Sequence, residues 1–150
     1  MIGNALRTNH VGFTVDDLDR PIAMFAELFG YTLTSRGGRN ARGVARLTGV
    51  ADADILVAHL HHPDLIGIEL IAYHRPEDRG RIGGRPCDTG YTHLTFDVRD
   101  IEALVAEAAA HGLVPVGEIV GRRGAGARVV YLRDPDGINI ELIEPGDAAP

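Results

Sequence analysis

The 150-residue chain has no lysine, no tryptophan, one cysteine and one serine. Each scarcity removes some chemistry. Without lysine there is neither a Schiff-base amine nor the lysine of a P-loop phosphate cradle. The lone serine, Ser35, does not sit in a nucleophile-elbow motif. The lone cysteine, Cys87, permits no internal disulfide and suits a reducing, cytoplasmic setting. Lying between Pro86 and Asp88 in a turn-like stretch, it reads as an inert thiol rather than a nucleophile. No apolar run approaches the length of a bilayer span. Residues 1–9 lack the charged and apolar regions of a secretory signal. Positive charge is in deficit: the net charge of −6 and pI near 5.6 argue against a nucleic-acid backbone or an anionic membrane as main partner. No G-x-G-x-x-G follows a strand. The chemistry left open uses His, Glu, Asp, Tyr or a metal.

What is present is a repetition. H-V-G-F-T-V-D-D-L runs from His10 to Leu18, and H-L-T-F-D-V-R-D-I from His93 to Ile101. Each is followed at a distance by I-E-L-I, at Ile68–Ile71 and Ile140–Ile143. The offsets are similar, 93 − 10 = 83 and 141 − 69 = 72. With 45% apolar residues, the chain has the material for one ordinary domain or two half-size modules sharing a core.

The patterning predicts β-α-β-β-β in each half. In the first, Thr8–Val15 alternates as a strand. Asp16, Asp17 and Asp19 offer caps, Pro21 suits a first turn, and Leu18, Ile22, Phe25 and Phe29 share one helical face ending at Gly30. Tyr31–Arg36, Ile55–His61 and Ile66–Tyr73 read as strands. Between the first two lie a loop over Gly37–Gly43 and a short helical turn over Val44–Val50. In the second half, Tyr91–Val98 is a strand. Asp100–His111 is a helix with Ile101, Leu104, Val105 and Ala108 on one face, closed by Gly112. Leu113–Val116, Ala127–Leu132 and Ile138–Glu144 are strands, the last two joined by the Asp134-Pro135-Asp136-Gly137 turn. The modules span residues 7–73 and 91–145, with a loop-like linker over 74–90 and a frayed tail from Gly146.

Glu69 and Glu141 each lie between apolar neighbours in a strand, where an unpaired carboxylate is costly. A solvated place on the polar face of the sheet is the ordinary alternative, as a satisfied strand position is for a lone histidine. Duplication favours the functional reading: His10, Glu69, His93 and Glu141 recur as equivalent pairs. Two imidazoles and two carboxylates suit Zn, Ni, Co, Mn or Fe(II).

With these motifs the chain resembles the vicinal oxygen chelate superfamily, which includes glyoxalase I, methylmalonyl-CoA epimerase, extradiol dioxygenases and bleomycin- or fosfomycin-resistance proteins. The likeness covers about residues 7–145. It is carried by N-H-V-G-F-T-V-D-D-L-D from Asn9, G-I-E-L-I from Gly67, H-L-T-F-D-V-R-D-I from His93 and Y-L-R-D-P-D-G-I-N-I-E-L-I-E from Tyr131. The resemblance implies an α+β fold in which two tandem βαβββ modules form a curved mixed sheet. It also implies a divalent metal held by His10, Glu69, His93 and Glu141, and a homodimer.

The resemblance further implies a choice of chemistry. A full His/Glu/His/Glu set is similar to the lyase and isomerase branch, where the metal stabilises an enediolate or enolate and a carboxylate moves the proton. Glu141 and Glu69 are then the candidate catalytic bases, with their division of labour open. The metal expected is Zn, Ni, Co or Mn, with Fe less favoured. The E-L-T-x-N-like segment associated with bacterial glyoxalase I is replaced by Glu69-Leu70-Ile71-Ala72-Tyr73, which lowers the glyoxalase reading. Gly124-Ala125-Gly126-Ala127-Arg128-Val129 is similar to a stretch of methylmalonyl-CoA epimerases. The expectation is therefore an epimerase of an acyl-CoA or a polyhydroxylated, cyclitol-like keto substrate. The alternatives are a glyoxalase I-like lyase, a non-haem iron extradiol dioxygenase and a non-catalytic drug-binding resistance protein.

Other residues are less informative. Arg122, Arg123 and Arg128, with Arg79, Arg81 and Arg85, could bind an anionic group, but a solvated surface explains each of them better. His59 and His61 share a strand face and read as a decoy pair. His62, His74 and His111 read as surface residues. Tyr73 and Tyr91 either line the site or simply pack.

Overall fold

The computed structural model describes residue 3 and residues 5–146. The expected tail beyond Gly146 lies outside the described residues, as do Met1, Ile2 and Asn4 of the N-terminal stretch. The chain forms two compact units that divide between Arg79 and Gly80.

The first unit contains β1 (His10–Val15), α1 (Asp19–Phe29), β2 (Thr32–Gly38), α2 (Ala41–Thr48), β3 (Asp54–His61) and β4 (Gly67–Arg75). Its sheet has the order β1-β4-β3-β2. β1 runs parallel to β4, while β3 is antiparallel to both β4 and β2. The chain turns into α1 at Asp17, whose carboxylate accepts from the backbone N–H of Asp19 (2.9 Å) and Arg20 (3.1 Å). Gly30 ends the helix at φ 72°, a conformation glycine adopts at little cost. The buried face of α1 is Pro21, Met24 and Phe25, with Leu18 before it; Ile22 and Phe29, expected on that face, are half-buried at its margins.

The first unit departs from β-α-β-β-β by a full two-turn helix, α2. It begins at Ala41, three residues before the expected helical turn, because Asn40 supplies a cap: its Oδ1 accepts from the N–H of Gly43 at 3.0 Å. β2 also runs on through Gly37 and Gly38, which the glycine content had marked as loop. Val44 of α2 joins a buried cluster with Ala53, Ile55 and Val57, against which Ile71 and Tyr73 of β4 pack.

The second unit contains β5 (Leu94–Asp97), α3 (Ile101–Ala108), a 3₁₀ turn (Ala109–His111), β6 (Val114–Pro115), β7 (Arg128–Arg133) and β8 (Asn139–Glu144). Its order, β5-β8-β7-β6, repeats the first unit's, with β5 parallel to β8. Asp100 caps α3 through the N–H of Ala103 at 3.0 Å. The β7–β8 turn is built as its sequence implies. Asp134, only 4% exposed, accepts from the N–H of Asp136 (2.9 Å) and Ile138 (2.8 Å), and Gly137 takes φ 92°.

Alternation along the strands positions the site. Ile68, Leu70 and Ala72 of β4 are buried, as are Ile140 and Leu142 of β8. Each large side chain so buried contributes about 1.5–3 kcal/mol. The intervening Glu69 and Glu141 therefore emerge on the opposite sheet face. The fold is α+β, with two four-stranded mixed sheets and few helices.

Candidate functional site

In each unit the parallel strand pair brings a histidine to a glutamate. In the first, His10 pairs with Gly67 and Gly12 with Glu69, so the His10 ring lies diagonally beside the Glu69 carboxylate. His10 Nε2 and Glu69 Oε2 are 3.5 Å apart. In the second, His93 immediately precedes β5, which starts at Leu94 rather than at the expected Tyr91. His93 Nε2 stands 3.4 Å from Glu141 Oε2. The glutamates are largely sheltered, at 23% and 17% side-chain exposure.

The hydrogen bonding sets the lone pairs. Asn9 Oδ1 lies 2.8 Å from His10 Nδ1. An amide oxygen only accepts, so Nδ1 carries the hydrogen and a neutral ring leaves Nε2 with a lone pair. That lone pair and Glu69 Oε2 are both electron donors, and they face each other at a separation longer than an N–H···O bond. Two ligand atoms on one tetrahedral zinc stand about 3.3–3.5 Å apart for the usual Zn–N and Zn–O lengths. Each pair thus has the spacing of two neighbouring ligands on a divalent cation, and the His10 pair has the donor chemistry as well.

Each carboxylate has further partners. His59 pairs with Glu69 across β3–β4, and its Nε2 lies 3.1 Å from Glu69 Oε1. Its Nδ1 is 2.9 Å from Ser35 Oγ. His59, read from the sequence as a decoy, is therefore part of the cluster, while its strand neighbour His61 is exposed. The missed signal is hairpin register: His59 and Glu69 are equidistant from position 64 in the β3–β4 connection. In the second unit Thr95 donates its hydroxyl to Glu141 Oε2 at 2.8 Å. Tyr131 pairs with Glu141 across β7–β8. Burial, and then the charge and hydrogen bond of Glu141, raise the Tyr131 phenol above its ordinary pKa. Tyr131 also packs edge-on to the His93 ring at 5.0 Å.

The two tyrosines expected near the site differ. Tyr73 packs against the Val44–Ile55–Val57 cluster. Tyr91 lies beside both His93 and Tyr131, at 6.4 Å in each case, with the Arg133 guanidinium over its ring at 5.6 Å. Its buried hydroxyl has no hydrogen-bond partner among the described residues. Of the histidines read as surface residues, His74 is exposed, whereas His62 is half-buried against Tyr31 at 5.6 Å and His111 is half-buried at the end of its 3₁₀ turn.

Most of the arginines singled out are engaged within the protein. Arg128, 8% exposed, binds Glu102 through two hydrogen bonds and Glu144 at 3.1 Å. Arg123 binds Glu102 at 3.0 Å, Arg85 binds Asp88 at 2.8 Å, and Arg81 donates to the carbonyl of Pro135 at 2.5 Å. Arg79 donates to the carbonyl of Pro76 at 3.1 Å. Asp100, Glu102 and Glu144 bring carboxylate oxygens within 4.8 Å of one another, a spacing open to a cation. Arg128 and Arg123 already form ion pairs with these carboxylates. The Arg128 hydrogen bonds hold the Glu102 carboxyl down to about 2. No helix among the described residues is long and apolar enough to cross a membrane.

Comparison with known proteins agrees with this architecture. The chain is 31% identical to a 2-epi-5-epi-valiolone epimerase from Actinomyces sp. over 99% of its own length and 85% of that protein's. It is 27% identical to a lactoylglutathione lyase of Arabidopsis thaliana over 91% of this chain and 44% of the relative. Among solved structures, a glyoxalase family protein from Bacillus cereus superposes with TM-score 0.80 at 30% identity, covering 96% of this chain and 97% of that one. The model of the Glyoxalase/Bleomycin resistance protein/Dioxygenase superfamily matches residues 7–142. The chain belongs to that superfamily.

Proposed function

We propose that the protein is a metal-dependent epimerase of a polyhydroxylated, cyclitol-like ketone, with His10, Glu69, His93 and Glu141 holding one divalent ion of the Zn, Ni, Co or Mn type. The observation that carries this reading is the repeated His–Glu pair, with imidazole nitrogen and carboxylate oxygen 3.5 and 3.4 Å apart. Likeness to a 2-epi-5-epi-valiolone epimerase supports the substrate class. The acyl-CoA alternative is less well supported, because Arg81, Arg85, Arg123 and Arg128 already bind protein acceptors.

The metal supplies Lewis-acid stabilisation of the negative charge that develops on a substrate oxygen. Glu69 and Glu141 supply the proton chemistry. One carboxylate takes the proton α to the carbonyl, and the other, protonated beforehand from solvent, delivers its proton to the opposite face of the same carbon; the first then gives its proton to solvent. Thr95 and Tyr131 orient Glu141. The protein acts on a small molecule and works as a homodimer in the cytoplasm.

The test is incubation with 2-epi-5-epi-valiolone in D₂O. Epimerisation with one deuterium gained at the inverted carbon, abolished by chelation and restored by added metal, is the expected result. Turnover that survives complete metal removal contradicts the proposal. Conversion of a glutathione hemithioacetal instead would make the protein a lyase like its Arabidopsis relative. Oxygen uptake with a catechol would make it a dioxygenase.

A further inference from the structure

The two units repeat their backbone but not the support of their glutamates. By the offsets of the repeat, Gly12 corresponds to Thr95 (12 + 83 = 95) and His59 to Tyr131 (59 + 72 = 131). The registers agree: Gly12 and His59 flank Glu69, while Thr95 and Tyr131 flank Glu141. In the second unit the oxygen facing the histidine, Oε2 of Glu141, also accepts the Thr95 hydroxyl. In the first unit glycine removes that hydroxyl. A Cβ at Gly12 would stand 3.7 Å from Glu69 Oε2, so there is room for a side chain that the sequence does not place there.

The support arrives instead on the other oxygen. A carboxylate only accepts, so the 3.1 Å contact requires the hydrogen on His59 Nε2. Nδ1 of the neutral ring then accepts from Ser35 Oγ at 2.9 Å. Ser35 is the only serine in the chain and faces His59 across the β2–β3 pair. At the matching edge of the second unit, Val116 bonds Tyr131 through backbone alone, its N–H donating to the Tyr131 carbonyl at 2.8 Å.

We infer that His59, fixed by Ser35, is the positioning residue of Glu69: it holds Oε1 and leaves Oε2 aimed with His10 Nε2 at the metal. This rests on the reading of Glu69 as a metal ligand. The hydrogen bond fixes which oxygen binds the ion, and it keeps the carboxylate from swinging to chelate through both oxygens. Outer partners of this kind commonly govern metal affinity by about ten- to a hundred-fold.

The experiment is cobalt(II) titration of the full chain, read by competition with a chromophoric chelator and by the visible absorption of the bound ion. It compares wild type with His59→Leu, His59→Gln, Ser35→Ala and Glu69→Ala, each checked for native circular dichroism. His59→Leu is expected to weaken cobalt binding about ten- to a hundred-fold and to shift the absorption bands. His59→Gln, which keeps a donor, should recover most of both. Ser35→Ala should give a smaller loss in the same direction. If His59→Leu binds cobalt as wild type does, with the same spectrum, while Glu69→Ala loses it, the inference is overturned and the ligand assignment survives. If Glu69→Ala also binds normally, the ligand assignment fails and the inference with it. Should His59→Leu not fold, Ser35→Ala decides: unchanged affinity and spectrum there overturn the relay.

Discussion

Thr95 places its hydroxyl 2.8 Å from Oε2 of Glu141, the same oxygen that stands 3.4 Å from His93 Nε2. One oxygen thus has a hydrogen-bond donor on one side and the His93 imidazole nitrogen on the other. The hydroxyl holds the carboxylate in one rotamer. Pre-set geometry of this kind lowers the ordering cost of binding.

Removing that hydroxyl should weaken the site without unfolding the protein. Thr95→Val is expected to lower metal affinity about tenfold, within the range typical of partners that orient a ligand. Thr95→Ser, which keeps the donor, should bind nearly as wild type. Chelator competition measures both. Equal affinity in Thr95→Val and wild type would show that Glu141 needs no such support.

The Arg128 network should make the second unit resistant to acid. Glu102 is held down to about 2 from 4.5, chiefly by the hydrogen bond of Arg128, and Glu144 is lowered by the backbone N–H of Ile101 and by Arg128. A carboxylate with a depressed folded pKa contributes stability above its unfolded pKa, and that stability is lost as pH falls through the folded value. The Glu102 contribution should therefore be intact above about pH 4.5 and disappear toward about pH 2. Glu102→Gln should unfold at a higher pH than wild type in a circular-dichroism titration. Coincident acid transitions would contradict this.

Phe25 should dominate the stability of the first unit. It is fully buried, with ring centroids 6.0 Å from Phe13, 6.0 Å from Phe29 and 5.7 Å from Tyr31. Phe25→Ala is expected to cost about 3–5 kcal/mol through lost transfer energy and the cavity left behind. Urea unfolding followed by tyrosine fluorescence measures it. A cost below about 1 kcal/mol would mean that the surrounding rings collapse into the space.

The succession of strands and helices along the chain was legible because the repeat, the Asp-capped helices and the Asp134–Gly137 turn each state local structure in a few residues, and the family resemblance implied the α+β fold. The pairing of His10 with Glu69 and of His93 with Glu141 was legible for the same reason, as a duplicated motif. The start of helix α2 was hidden because it depends on a single cap, Asn40, in a glycine- and arginine-rich stretch that suggests a loop. His59 was hidden because its meaning lies in cross-strand register, and hydropathy gives no sign of that pairing. Thr95 could have been found, since it lies two residues beyond His93 on the same strand face. The role of Arg128 was open because its partners, Glu102 and Glu144, are distant in sequence.

Elemental analysis of the untagged chain, beside His10→Ala, Glu69→Ala, His93→Ala and Glu141→Ala, tests the central claim most directly. A metal held by two imidazoles and two carboxylates predicts about one Zn, Ni, Co or Mn ion per chain in wild type and its loss in every variant. Metal content unchanged by His10→Ala and His93→Ala together would contradict the claim, leaving the paired histidines and glutamates as hydrogen-bonding groups of a binding protein.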